Sequence, residues 1–276
     1  FWEDNYMDGI REKKVKEITY PGLRRFNGIM GALHFIQAAF MLIAGFTITD
    51  FKDAKLPITT DFLIFNGSFL EPDFPTTIEP VVPIAILASS FLFLSAIAHF
   101  LIVMPKINDF YNKNLEKGIN YFRWFEYALS SSIMIMLIAM FFGIYNLGAL
   151  ILIVGTNAAM NLMGLMMELH NQTTEKTNWT AFIIGSFLGI MPWALIVIYI
   201  IGTGGAVANA PWFVWPIVGS YFVFFNTFPI NMILQYKKVG KWKNYLYGER
   251  GYIILSLVSK TILAWLVFAG ALQPTV

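Results

Sequence analysis

Seven apolar stretches, nearly free of charge, recur along the chain at about 26–46, 83–104, 120–144, 147–169, 179–202, 211–236 and 249–271. Each reaches the ~20 residues that a helix needs to cross the hydrocarbon of a bilayer. The pattern therefore predicts an all-α integral membrane bundle of seven transmembrane helices. One long polar interval, 47–82, separates the first two stretches and contains Asn66-Gly67 next to the β-prone run from Ile58 to Phe65. Asn-Gly suits a tight turn that needs positive φ, so this interval predicts an external β-hairpin. The connections after the third and fifth stretches are too short to fold alone, and no internal period recurs, so residues 1–276 are expected to form a single seven-helix domain.

Composition agrees with the pattern. The chain is 57% hydrophobic and 13% charged, about half the charge of an ordinary soluble domain. It has no cysteine, which excludes disulfides, thiolate metal sites and cysteine nucleophiles. A net charge of +2 is too small for a nucleic-acid binder, and the basic residues lie in short clusters beside the apolar stretches. Outside the stretches, six Lys and Arg precede the first, three fall between the second and third, one between the fourth and fifth, and four between the sixth and seventh. The other side carries Lys52 and Lys55. Cytoplasmic loops retain the basic excess, so the N-terminus is expected in the cytoplasm and the C-terminus outside. The basic stretch from Arg11 to Arg25 leads into an apolar run too long for a cleavable signal, with no small-residue cleavage site, so the first helix is expected to remain in the membrane. The chain opens at Phe1 without Met, and a few further residues are expected upstream.

Ionisable groups inside the spans carry the chemistry, because each costs about 2–3 kcal/mol or more at the membrane centre. Lys260 lies nine residues beyond Gly251 and ten before Gly270. At 1.5 Å per residue, about 14 Å separates it from either end, beyond the reach of a snorkelling stem. Burial favours the free amine, the nucleophile that condenses with an aldehyde; the alternative is a lysine merely paired with a carboxylate. Glu126 reads as the single carboxylate well inside a span and is the expected counterion, unless it pairs with Arg123 one turn earlier. Arg123, near a span end, is expected to reach water. Ser256, four residues before Lys260, shares its face and either bonds the lysine nitrogen or its own backbone.

His34 and His99 lie within the first two spans and read either as lining a polar cavity able to take a proton or as two neutral, hydrogen-bonded histidines. Asn157 and Asn226 are expected to face the bundle interior, since an unpaired amide in lipid is costly. His170 reads as interfacial. Trp193 after Pro192, Phe225 beside Asn226, and Trp265 are candidate walls of an apolar site, although most aromatic residues here read as packing. The Asn-x-Ser/Thr triplets at Asn66, Asn171 and Asn178 match glycosylation acceptors, a pattern frequent by chance.

The stretch Phe122-Arg123-Trp124-Phe125-Glu126-Tyr127-Ala128-Leu129-Ser130-Ser131-Ser132 resembles the third helix of heliorhodopsins, and Gly248-Glu249-Arg250-Gly251 through Ser256-Leu257-Val258-Ser259-Lys260 resembles their seventh. Gly155-Thr156-Asn157-Ala158-Ala159-Met160, Met191-Pro192-Trp193, Phe224-Phe225-Asn226 and Lys241-Trp242-Lys243-Asn244-Tyr245-Leu246 are similar to the same family, so the likeness runs from the first span onward. The resemblance implies a rhodopsin-like fold of inverted orientation and all-trans retinal bound covalently to Lys260. It implies Glu126 as counterion, Ser256 and Ser131 beside the Schiff base, and Met134, Asn157, Met160, Gly164, Trp193, Phe225 and Asn226 around the polyene. It also places His34 and His99 in a cytoplasmic proton cavity and implies a homodimer. The chain departs from the family pattern at Asn161, where an apolar residue is usual, and at Met232, where an amide is usual.

The expected function is that of a light receptor in the cell membrane, not an enzyme: photoisomerisation drives a slow signalling photocycle without ion pumping. A light-gated channel or light-driven transporter is the alternative, and pumping is disfavoured by the lack of a second carboxylate inside the spans. A retinal-free transporter or intramembrane enzyme using Lys260 and Glu126 is the third reading. The basic segment from Lys237-Lys238 to Lys243 reads as a topology determinant near anionic lipid or as a docking surface for a cytoplasmic partner.

Overall fold

A computed structural model describes residues 18–73, 76–202, 204 and 212–272. Residues 11–17 of the expected N-terminal basic stretch and the first residue of the predicted sixth span lie outside the described residues. Among the described residues seven helices are long and apolar enough to cross a membrane: α1 (Tyr20–Thr47), α3 (Ile84–Val103), α5 (Tyr121–Phe141), α6 (Leu147–His170), α7 (Thr180–Gly202), α8 (Val214–Tyr236) and α9 (Tyr245–Ala271). Two short helices join them, α2 (Thr49–Asp53) after α1 and α4 (Pro105–Glu116) after α3. A 3-10 turn, Gly240–Lys243, precedes α9.

The helix starts follow local chemistry. Asparagine side chains cap three of them: Asn120 accepts from Arg123 N–H, Asn146 from Ala149 N–H and Asn244 from Leu246 N–H, each satisfying a donor the helix leaves open. α1 begins six residues before the predicted span, because Thr19 caps it and Pro21 sits in its first turn. Arg24 is therefore already helical, and its guanidinium donates to the Val103 carbonyl at 2.9 and 2.6 Å, tying the start of α1 to the end of α3. α4 had no counterpart in the hydropathy pattern. It is amphipathic, burying Asn108, Tyr111 and Leu115, and starts at Pro105.

The predicted hairpin is present after α1 and has two tiers. Strands β1 (Lys55–Thr60) and β4 (Thr76–Pro83) pair antiparallel, with an irregularity at Pro57, which has no N–H for the ladder. Beyond them β2 (Leu63–Phe65) pairs with β3 (Leu70–Pro72). Asn66 Oδ1 accepts from Ser68 and Phe69 N–H, both at 3.0 Å, and Gly67 takes φ +95°, so the Asn-Gly turn works as its chemistry requires. The hairpin docks on the α5–α6 connection through Thr59 N–H to the Tyr145 carbonyl at 2.9 Å and Asn146 Nδ2 to Asp61 at 2.9 Å.

The largest core lies between α1, α3, α5 and α9, around Met41, Phe91, Leu92, Ile135, Ile138 and Ala264. Outward positions carry exposed Ile36, Ile43, Leu152, Ile183, Ile198 and Ile201, an apolar belt that only a bilayer solvates without penalty. α1 and α3 approach closely at Gly45, where a Cβ would collide with the Ala85 Cβ. Replacing Gly45 with Leu overpacks that crossing and is expected to lower stability by about 1–3 kcal/mol, read from thermal denaturation in detergent.

Candidate functional site

α9 carries Lys260 at its centre, and α5 brings Glu126 opposite: Lys260 Nζ donates to Glu126 Oε1 at 2.8 Å. Both side chains are almost fully shielded. Ser256, one turn before Lys260, holds the same nitrogen at 2.9 Å, and Ser95 from α3 donates to Glu126 Oε1 at 2.7 Å. The Tyr127 ring lies 5.1 Å from Nζ and adds its negative face to the cation. Three helices thus meet on one ion pair whose donors and acceptor are satisfied. Ser95 was missed in the sequence, although it lies one turn before His99 on the same apolar helix.

Lys260 faces a cavity of about 490 Å³ between α5, α6, α7, α8 and α9. Ser131, Met134, Met160, Gly164, Trp193, Phe225 and Asn226 line it, together with Asn161, Met232 and the unanticipated Trp124, Tyr127, Tyr221 and Tyr252. Gly189 keeps the wall thin, since a Cβ there would press on the Met160 sulfur. An amine at one end of a largely aromatic and aliphatic chamber fits a long apolar aldehyde, and the volume falls within the range of small-molecule sites. Retinal is therefore compatible with the residues present.

Asn157 stands behind this wall: it is buried and donates to Ser131 at 2.7 Å and Ser132 at 3.0 Å. Asn226 is exposed and returns its amide to the Phe222 carbonyl of its own helix at 2.8 Å, so the expected inward amide is a cavity-edge residue bonded to its own backbone. Trp265 is corrected outright. It lies on the outer side, stacked on Phe40 and donating to Gln37 at 3.1 Å, because five residues past Lys260 its helix face has turned away from the cavity.

His34 and His99 are buried and stacked, with ring centroids 5.6 Å apart. His99 Nδ1 bonds Asn27 Oδ1 at 2.7 Å, whereas neither His34 nitrogen has a hydrogen-bond partner among the described residues. A second, small cavity of about 30 Å³ is lined by His99, Glu126 and Ser256 and reaches Asn120, Arg123 and Glu249. His170 is exposed at the end of α6, as expected of an interfacial residue.

Arg123 overturns two expectations. It is buried and does not reach water, and its ion-pair partners are Glu168 of α6 and Glu249 of α9, which leaves Glu126 to Lys260. Among the described residues Glu126 is thus one of three carboxylates with shielded side chains in the long helices, not the single one expected. The Arg123 guanidinium also lies 4.8 Å from the Trp124 ring and 4.1 Å from the Tyr252 ring. Donors complete both carboxylates: Tyr111 and Asn120 Nδ2 for Glu249, and Asn120 N–H, Trp124 Nε1 and Tyr245 for Glu168. Burial, with the Glu249 charge added, pushes the Tyr111 phenol well above its ordinary value, so its hydroxyl remains a donor. The sequence held the signal: Arg123, Glu168 and Glu249 each sit near an end of a predicted span, and alternation of the chain brings those ends to one side. Replacing Arg123 with Met strands two carboxylates without a cation, and about 3–5 kcal/mol of stability is expected to be lost in thermal denaturation.

No curated protein matches the chain. A family model described as Heliorhodopsin matches residues 23–272, nearly the whole chain and all seven long helices. Membership implies a retinal chromophore held by a lysine, a light-sensing role and a multi-pass integral membrane protein. With a family match of that extent and a seven-helix bundle around a buried lysine, the chain belongs to the heliorhodopsin family.

Proposed function

We propose that the chain is a light receptor in which Lys260 binds all-trans retinal and Glu126 is its counterion. The single observation that carries this reading is the buried Lys260–Glu126 pair at the end of an apolar cavity. Retinal, when bound, supplies an aldehyde for a protonated Schiff base with Lys260 and a polyene that absorbs light and isomerises.

The chain's own residues do the rest. Glu126 neutralises the charge at Lys260 Nζ, and Ser256 and Ser95 fix the two partners so that the proton sits on a defined line of 2.8 Å. Met134, Met160, Trp193, Tyr221 and Phe225 exclude water from the chamber and restrict how its contents can rotate. A proton leaving Nζ has Glu126 Oε1 as its nearest acceptor, and the small cavity toward His99 as the next polar space. A slow return from there gives a long-lived signalling shape.

Pumping is disfavoured on a ground different from the one first expected. Glu168 and Glu249 are further carboxylates within the long helices, but both are bound to Arg123, on the same side of the Lys260–Glu126 pair. Vectorial transfer needs titratable groups on both sides of the chromophore, and the remaining helix segments toward the hairpin end contain no Asp or Glu. The orientation proposed from the Lys and Arg count puts the α4 and Lys237 to Lys243 end in the cytoplasm, the chain acting as a single unit within a homodimer and turning over no substrate.

Purified protein supplied with all-trans retinal is expected to be coloured. Lys260→Ala should abolish the visible band, and Glu126→Gln should shift it to the red or leave the linkage unprotonated, both read by absorption spectroscopy. A colourless wild type would sink the light-receptor reading. Voltage-clamped cells expressing the protein are expected to show no photocurrent; a sustained light-driven current would favour the channel or transporter reading instead.

A further inference from the structure

Trp124 belongs to two sites at once. Its ring, 6% exposed, forms part of the cavity wall and fills the notch left by Gly164, where a Cβ would overlap it. Its Nε1 donates to Glu168 Oε2 at 2.6 Å, while the other oxygen of Glu168 pairs with Arg123. Trp193, also in the cavity wall, differs: its Nε1 has no hydrogen-bond partner among the described residues, so its displacement disturbs no charge there. An indole is a rigid plate, and a push on the face in the cavity must move the N–H at its edge. That N–H stabilises a buried carboxylate, where loss of a charge-assisted bond in a dry site has a large effect.

Arg123 divides its guanidinium between Glu168 on α6 and Glu249 on α9, and itself sits on α5. The three groups carry one positive and two negative charges, so the cluster depends on its neutral donors. Withdrawing one donor from Glu168 alters how Arg123 is shared and so how tightly α6 is held against α5 and α9. Building on the reading of Lys260 as the chromophore lysine, we propose that Trp124 is a positioning residue that couples the shape of the cavity to the Arg123 network. The coupling carries a change at the chromophore to the end of the bundle where α4 and the 3-10 turn lie.

The test uses full-length protein labelled with ¹⁵N-tryptophan. The chain has eight tryptophans, and Trp124→Phe, which keeps a ring but lacks the N–H, identifies the Trp124 indole signal by its disappearance. Should that variant not fold, Glu168→Gln identifies the same signal by shifting it in the dark. The Trp124 signal is expected to shift when retinal is added to chromophore-free protein, and again under continuous illumination. Trp124→Phe and Glu168→Gln are each expected to change the lifetime of the longest-lived photoproduct by at least about threefold, and the double variant no further than the larger single effect. A coloured protein whose Trp124 signal stays fixed on loading and illumination, or single effects that multiply in the double variant, would overturn the coupling alone. A protein that takes up retinal without colour overturns the lysine reading on which the coupling rests.

Discussion

Burial of a charged pair in a membrane interior is the constraint around which this molecule is arranged. Neither the Lys260 ammonium nor the Glu126 carboxylate is tolerable alone in hydrocarbon; together, with the Ser256 hydroxyl on the lysine and the Ser95 hydroxyl on the carboxylate, they form a compact dipole. That arrangement sets the register of three helices at once. α9 must present Lys260 and Ser256 on one face, α5 must present Glu126 opposite them, and α3 must bring Ser95 within 2.7 Å of the carboxylate. The cavity then follows as the space α5 and α9 leave with α6, α7 and α8.

A second ionic centre shares two of the same helices. Arg123 precedes Glu126 by three residues on α5, and Glu249 precedes Lys260 by eleven on α9, so the two centres are stacked along one helix pair with a small polar cavity reaching both. Keeping the arginine with Glu168 and Glu249 leaves each cation its own carboxylate, and the lysine pair stays free of competition. The second centre also extends the structure beyond the bilayer helices, because Tyr111 of the amphipathic α4 donates to Glu249. A surface helix at one end is thereby fastened to the helix that carries the lysine. Trp124 adds the link from the cavity wall into this network.

Some errors of sequence reading share one physical origin. The membrane helices are apolar on every side, so no amphipathic stripe shows which face points inward. Asn226 and Trp265 were judged by residue type, and the structure puts the first at the cavity edge and the second on the outer face. Arg123 was judged by its distance from a span end, a measure that ignores whether another helix covers it. The amphipathic α4 escaped because a scan for long apolar runs does not register a short helix with one buried face. The hairpin, by contrast, was legible because Asn66-Gly67 imposes a turn through its own backbone preferences.

The sequence by itself determined that seven helices span the membrane, where the hairpin turns, and that Lys260 and Glu126 are the groups with reason to be buried, since these depend on run length, local turn chemistry and the cost of a charge in hydrocarbon. Its likeness to a family also identified most of the cavity wall. Only the tertiary structure decided which carboxylate each cation takes, that Ser95 completes the lysine site, and that Trp124 stands between cavity and network. Those are contacts between residues 31 to 134 positions apart, and they arise from how uniformly apolar helices rotate and stack, which no local pattern encodes.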